Sequence, residues 1–284
     1  MPPQLPDALI SAIQNRKCIL FVGSGLSAGA GYPTWGALIE RLVEAAKKKP
    51  FARVQGLEEI EAQKDYFTLA EFARRTLSPT DFGEIMKELL DGPVPLPRAH
   101  EVIARTDFRG AITTNYDRLL ETAITKVRNW APNTFTSVAL EQVGTALFNP
   151  EFFVYKIHGD VASPSSIVLS ASDYDRMILT SPHARSFLQA ALLNYTLLFV
   201  GYSLRDPDFQ LVLRELALIF ENFVPRHFAL VANAGDFTAE HLLRRLNVEA
   251  IPYDPAEGHH QVLEALEEMQ RLAPFHWPQL AATA

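Results

Sequence analysis

One cysteine in 284 residues is the first scarcity of this sequence. Cys18 has no partner in the chain, so an internal disulfide and any Cys-x-x-Cys zinc ribbon are excluded, in agreement with a reducing, cytoplasmic address. It sits in the apolar run Lys17-Cys18-Ile19-Leu20-Phe21-Val22 and reads as a small buried hydrophobe. No apolar run reaches membrane-spanning length, and a mean hydropathy of +0.01 fits that absence. The opening MPPQLPDALISAIQNRK lacks a basic stretch followed by an apolar one and does not read as a secretory signal. Positive charge is also short, with 26 basic against 33 acidic side chains and a net charge of -7, which argues against a general nucleic-acid binder. Internal repeats, low-complexity tracts and long linkers are missing too.

What the sequence does have is core material. Hydrophobic residues make up 48% of it and charged ones 21%, and its length suits one large α/β domain or a core with a subordinate subdomain. Six continuous apolar runs bounded by turn residues read as buried strands: Cys18–Val22, Gly110–Thr113, Phe152–Ile157, Thr196–Val200, His227–Val231 and Val248–Ile251. Separated by helical stretches, they predict a Rossmann-like doubly wound parallel sheet of about six strands, with ligands bound beyond the carboxyl ends. The first two are too far apart for one crossover. Helical patterns over Trp35–Lys48, Glu58–Leu77 and Thr80–Leu90, closed by the breaker Asp91–Pro97, predict a helical insertion over about 35–106 within a single domain spanning 1–284. A further insertion is expected at Asn129–Pro150, more helix at Ser170–Asn194, and helices at Asp208–Asn222, Thr238–Leu246 and Gly258–Leu272.

Four loops at strand ends carry the chemistry. Gly23-Ser24-Gly25-Leu26-Ser27-Ala28 fits G-x-G-x-x-G/A after a strand and ahead of helical sequence, where glycines let backbone approach a pyrophosphate closely. A glycine turn that serves only packing has the same pattern. A dehydrogenase would also need an acid about 20 residues on at a strand end, whereas Glu40 and Glu44 fall in a helical pattern, which disfavours that class. Gly29-Ala30-Gly31-Tyr32-Pro33-Thr34-Trp35 then reads equally as a cofactor lid or as a connection anchored by Trp35. Thr113-Thr114-Asn115-Tyr116-Asp117 follows the second strand, with helix capping as the alternative role of Asp117. His158-Gly159-Asp160 ends the next strand, and a histidine facing an Asn/Asp loop there points toward function. Gly201-Tyr202-Ser203 supplies another glycine for close ligand approach, or a turn in which Asp206 or Asp208 caps the following helix.

In this order the loops resemble the sirtuin superfamily, and more specifically the zinc-free sirtuin-like NAD hydrolases of bacterial anti-phage systems. The sirtuin G-A-G-x-S loop and its G-I-P-D-F-R continuation are similar to Gly23–Ser27 and Gly31–Gly36. T-Q-N-x-D matches Thr113–Asp117, the catalytic H-G falls on His158-Gly159, G-T-S on Gly201-Tyr202-Ser203, and a strand ending in I-N resembles Val231-Ala232-Asn233. The likeness runs from about Cys18 to Asp254. It departs where sirtuin deacylases carry a four-cysteine zinc module, since no cysteine follows His158, and where Thr34-Trp35-Gly36 replaces Asp-Phe-Arg. These departures point away from protein deacylation and leave the NAD-cleaving residues in place.

The resemblance implies an enzyme that takes NAD as substrate, needs no metal, and breaks the nicotinamide–ribose bond to give nicotinamide and ADP-ribose. By it, Asn115 orients the ribose and the attacking water, and His158 is a general base working near an ordinary imidazole pKa of about 6.5. Asp117 helps hold the ribose or orders the loop. The backbone amides of Gly23, Ser24 and Gly25 hold the pyrophosphate; Ser27, Pro33, Trp35 and Gly201 count among the cofactor-binding residues; Ser203 and Asn233 flank the adenosine half. Implied partners are a separate activator, such as an Argonaute or a HerA-like ATPase, or further copies of the chain, in an NAD-depleting defence effector; nucleic acid and membrane are not expected as direct partners. Two other readings stay open: a deacylase or ADP-ribosyltransferase with a peptide groove beside His158, and a non-catalytic sensor of NAD or ADP-ribose.

Overall fold

The computed structural model describes residues 3–137, 145–180, 182–204, 207–220 and 224–276. Helix α1 (Asp7–Gln14) buries Leu9 and Ile13 and leads into β1 (Cys18–Val22), buried throughout. The glycine loop then winds into the single turn α2 (Ser24–Ser27) and a 3-10 turn over Ala28–Ala30. Helices α3 (Trp35–Lys47), α4 (Leu57–Gln63), α5 (Tyr66–Thr76), α6 (Pro79–Leu90) and α7 (Arg98–Arg105) separate β1 from β2 (Gly110–Thr113). Next come α8 (Leu119–Arg128), β3 (Asn133–Thr136), β4 (Phe153–Lys156), α9 (Ala171–Thr180), α10 (Pro182–Asn194) and β5 (Thr196–Val200). The chain then alternates regularly through α11 (Pro207–Phe220), β6 (His227–Ala232), α12 (Asp236–Leu246), β7 (Val248–Tyr253) and α13 (Ala256–Leu272).

Three departures from the sequence pattern have local causes. The single helix expected over Glu58–Leu77 is two, because Lys64 turns left-handed (φ 53°) and the Asp65 carboxylate caps α5 by accepting the Thr68 amide. Helix α7 follows the Asp91–Pro97 breaker, inside the expected helical insertion but where no individual helix was expected, and it buries His100, Val102, Ile103 and Ala104. Among the described residues the sheet has seven strands where about six were expected: β3 lies where an insertion was expected, and its Asn-Thr-Phe-Thr buries only Phe135. Asp206, the side chain of Asp208 and residues 221–222 of the expected helix lie outside the described residues.

All pairings are parallel, in the order β3-β4-β2-β1-β5-β6-β7. Both faces of the central strands are covered, which is why β1 and β5 read as unbroken apolar runs. Leu20, Val22, Ala111, Val154, Leu198 and Val200 pack on one side, and Ile19, Phe21, Ile112, Tyr155, Leu197 and Phe199 on the other. From β1 the chain moves outward through β2, then returns to β5 on the opposite flank of β1, so a crevice opens at the carboxyl ends of β1 and β5. A third core joins α3–α6 to Tyr116 behind β2 and to Val161, Ile167 and Leu169 behind β4. The helical layer therefore grips the two loops that carry Asn115 and His158.

Candidate active site

The floor of the crevice is a contact between two glycine loops. The Gly23 amide donates to Val200 O and the Gly25 amide to Gly201 O, both at 3.0 Å. A Cβ on Gly23 would lie 2.4 Å from Gly201 O, and one on Gly201, itself at φ +63°, 2.5 Å from the Leu26 nitrogen. Only glycine permits this approach. In this structure the two amides bond to β5 and the loop that follows it, and the glycines allow the close approach of the two loops.

A cavity of about 420 Å³ opens above this floor. Asn115, Asp117 and His158 line it together with Ser24, Ser27, Pro33, Trp35, Gly201 and Ser203. The structure thus brings together most of the residues singled out in the sequence. Asn115 follows β2 and is 7% exposed. Its amide Nδ2 donates to Gly23 O at 3.1 Å and to Ser27 Oγ at 2.9 Å, while its Oδ1 is buried with no protein partner. His158 follows β4, the strand next to β2, and is 6% exposed. Its Nδ1 lies 3.4 Å from the Tyr174 hydroxyl, with the rings edge to face at 5.0 Å. Gly159 then turns at φ +92°, where a Cβ would meet Ser166 O at 2.3 Å. The carboxylate of Asp117 lines the cavity and also accepts the Leu119 amide at 3.0 Å, so capping of α8 and a place in the site coexist.

Behind these loops Lys156 is wholly buried. Its Nζ reaches Glu121 Oε1 and Asp160 Oδ2, each at 3.1 Å, and donates to the carbonyls of Tyr116 and Asp117. Burial raises the Glu121 pKa against the opposing pull of Lys156. One ammonium thereby ties the loop after β2 to the loop after β4.

The far wall is aromatic. Trp35 packs on Tyr66 and Phe67, Phe67 meets Tyr174 edge to face at 5.4 Å, and Tyr174 meets His158. Trp35 both lines the cavity and packs into the helical core, so the lid and anchor readings of this segment describe one residue. The Tyr32 hydroxyl donates to Gly92 O at 3.0 Å and ties the loop to the end of α6. Phe67 and Tyr174 were missed in the sequence, because an aromatic residue in a helical pattern looks like core.

A second cavity, of about 810 Å³, lies beyond β6 and β7 and shares Gly201, Tyr202 and Ser203 with the first. Val231, Tyr253 and His259 line it. Asn233 just follows β6, exposed and at φ +50°, with its amide donating to Tyr253 O at 2.9 Å. It is not among the residues lining either cavity, so the structure does not group it with the other expected site residues. Among the described residues no cluster of three or more His, Cys, Asp or Glu is arranged to hold a metal ion, and no helix is long and apolar enough to cross a membrane.

Residues 109–251, about half of the chain, match the SIR2-like domain family. Among curated proteins, the NAD(+) hydrolase ThsA of Bacillus cereus is 31% identical over 223 residues, which is 77% of this chain and 44% of that protein. The NAD(+) hydrolase ThsA of Cytobacillus dafuensis is 26% identical over 248 residues, 86% of this chain and 47% of that one. Defense-associated sirtuin 2 of Bacillus subtilis is 22% identical over 271 residues, 90% of this chain and 26% of that protein. The chain spans less than half the length of each of these relatives.

Proposed function

The chain belongs to the SIR2-like domain family, and from that footing we propose that it hydrolyses NAD at the nicotinamide–ribose bond. The observation that carries the reading is the meeting of Asn115 and His158, from the loops after the adjacent strands β2 and β4, in one cavity that shares Gly201, Tyr202 and Ser203 with a second. A dinucleotide has two halves linked by a pyrophosphate, and two neighbouring cavities that share Gly201-Tyr202-Ser203 suit that shape. The nicotinamide half belongs with Asn115, His158 and the aromatic wall. The adenosine half belongs beyond Ser203.

In the proposed reaction the C1′–N bond breaks, its electron pair leaves with nicotinamide, and the ribose passes through an oxocarbenium-like state. Such a state needs positioning and charge stabilisation more than a strong acid. The Asn115 Oδ1 accepts from a ribose hydroxyl or the attacking water. Water adds to C1′, and its proton goes to His158. Asp117 borders the ribose while it fixes the start of α8. The products are nicotinamide, ADP-ribose and a proton.

The names of the relatives, an NAD(+) hydrolase and a defense-associated sirtuin, support a wider role as an NAD-depleting defence effector; that its target is phage and that a partner or assembly switches it on are further parts of this proposal. The Gly29–Trp35 segment is where such a signal would act, because it joins the cavity to the helical layer.

Nicotinamide release from NAD, measured with and without an acetylated peptide, tests the proposal. Release that does not depend on peptide is expected. Asn115→Ala and His158→Ala should each slow it by about 10²–10⁴-fold, roughly 3–5 kcal/mol of barrier, with melting temperatures near wild type. Near wild-type turnover by His158→Ala would overturn the assignment.

A further inference from the structure

We propose that Tyr174 is a positioning residue for His158: its phenol oxygen accepts the Nδ1–H of the imidazole and holds the ring in the tautomer that keeps its lone pair on Nε2. The inference rests on the reading of His158 as the base, and it adds a residue from a different element, α9, to that machinery. The two rings meet edge to face at 5.0 Å and the Tyr174 oxygen stands 3.4 Å from Nδ1. A histidine base needs one nitrogen protonated and anchored so that the other can take a proton, and the partner of the anchored nitrogen fixes which is which.

Tyr174 is itself held firmly enough to do this. Phe67 closes on its ring from α5 at 5.4 Å. The Asp173 carboxylate accepts the amides of Leu169 and Ser170, which fixes the turn that enters α9. From α5, Glu71 accepts both the amide and the hydroxyl of Ser172, at 3.2 and 2.8 Å, and Arg74 pairs with Asp173 at 3.6 Å. Three consecutive residues, Ser172 to Tyr174, are thus clasped between the helical layer and the histidine. Neighbours that hold a reacting imidazole in register add to the rate by keeping it in the productive geometry.

Tyr174→Phe tests the proposal, because it keeps the packing against Phe67 and His158 and removes only the oxygen. Long-range proton–nitrogen spectra of histidine-labelled protein report the tautomer of each of the 8 histidines, and His158→Ala identifies the signals of His158. The wild type is expected to show an Nδ1–H tautomer at His158, and the Phe variant a mixture. In turnover the Phe variant should lose about tenfold in kcat, with KM for NAD and the melting temperature unchanged. An unchanged His158 tautomer in the Phe variant overturns the inference, whatever happens to the rate. A wild type that cleaves no NAD either alone or in its activated assembly would overturn the proposed reaction instead, and the spectra would still decide the role of Tyr174.

Discussion

Asn115 is tied through its nitrogen and open through its oxygen. The Nδ2 donates to Gly23 O and Ser27 Oγ, so the loop after β2 leans on the glycine loop, while Oδ1 is buried with no partner among the described residues. This division makes Asn115→Asp more damaging than Asn115→Ala, although aspartate is nearly isosteric. The carboxylate would set a second oxygen against Gly23 O and bury a charge without a cation, a cost of about 1–3 kcal/mol or more. Urea denaturation at pH 7 should rank the Asp variant below the Ala variant in stability, with both inactive; the reverse order would mean that the Nδ2 contacts are incidental. At this scale the sequence was readable where a polar residue ended an apolar strand. Asn115 and His158 stand out because each follows a buried apolar run at its carboxyl end, although helix capping and a structural histidine leave the same mark. Phe67 and Tyr174 do not, because a helix uses aromatic residues for packing far more often than for a site. Nor did the sequence tell that Gly23 and Gly25 spend their amides on each other's neighbour loop, since the register of β1 beside β5 decides that.

Helices α5 and α9 meet through side chains that are far apart in sequence, and their clasp is the link between the helical layer and the histidine. Glu71 accepts both the amide and the hydroxyl of Ser172, so Ser172→Ala removes only the hydroxyl bond, and Glu71→Ala removes that same bond along with the other. Glu71→Ala and Ser172→Ala should therefore be non-additive in urea unfolding, with a coupling of about 0.5–1.5 kcal/mol. Additive losses would show that the two residues act separately. The elements themselves were legible in proportion to how apolar they are. Strands β1, β2 and β5 occupy the predicted residues because full burial on both faces demands continuous hydrophobic runs. Edge strand β3 has one neighbour and one buried residue, so its polar sequence carries no such mark. The division of α4 from α5 depends on a left-handed lysine and an aspartate cap inside an otherwise continuous helical pattern, and that pattern hides it.

Across the whole molecule, two histidines remote from each other set how stability depends on pH. His100 in α7 is wholly buried, neither ring nitrogen has a partner, and burial pushes its pKa down to about 4 against the opposing influence of Asp117. His227 opens β6, accepts the Leu197 amide on Nδ1 at 3.2 Å, and is pushed down to about 3 by burial. In the unfolded chain both titrate at about 6.5. Between that value and the folded pKa values the unfolded state binds more protons, so stability rises with pH and is lost as pH falls from about 6.5 toward 4. Each histidine contributes about 2 kcal/mol to the loss between pH 7 and pH 5, a large share of the margin of an ordinary domain. Two substitutions separate this from general acid unfolding. His227→Asn keeps an acceptor for the Leu197 amide without an imidazole, and His100→Leu replaces a ring that bonds to nothing with an apolar side chain of similar reach. At pH 7 the Leu variant should match or exceed the wild type, since no hydrogen bond is lost. Urea unfolding at pH 7, 6 and 5 should show the wild type weakening steeply, each variant weakening by about 2 kcal/mol less, and the double variant nearly flat over that range. A double variant as steep as the wild type would place the acid sensitivity elsewhere, in the buried cluster of Lys156, Glu121 and Asp160 that joins the two site loops.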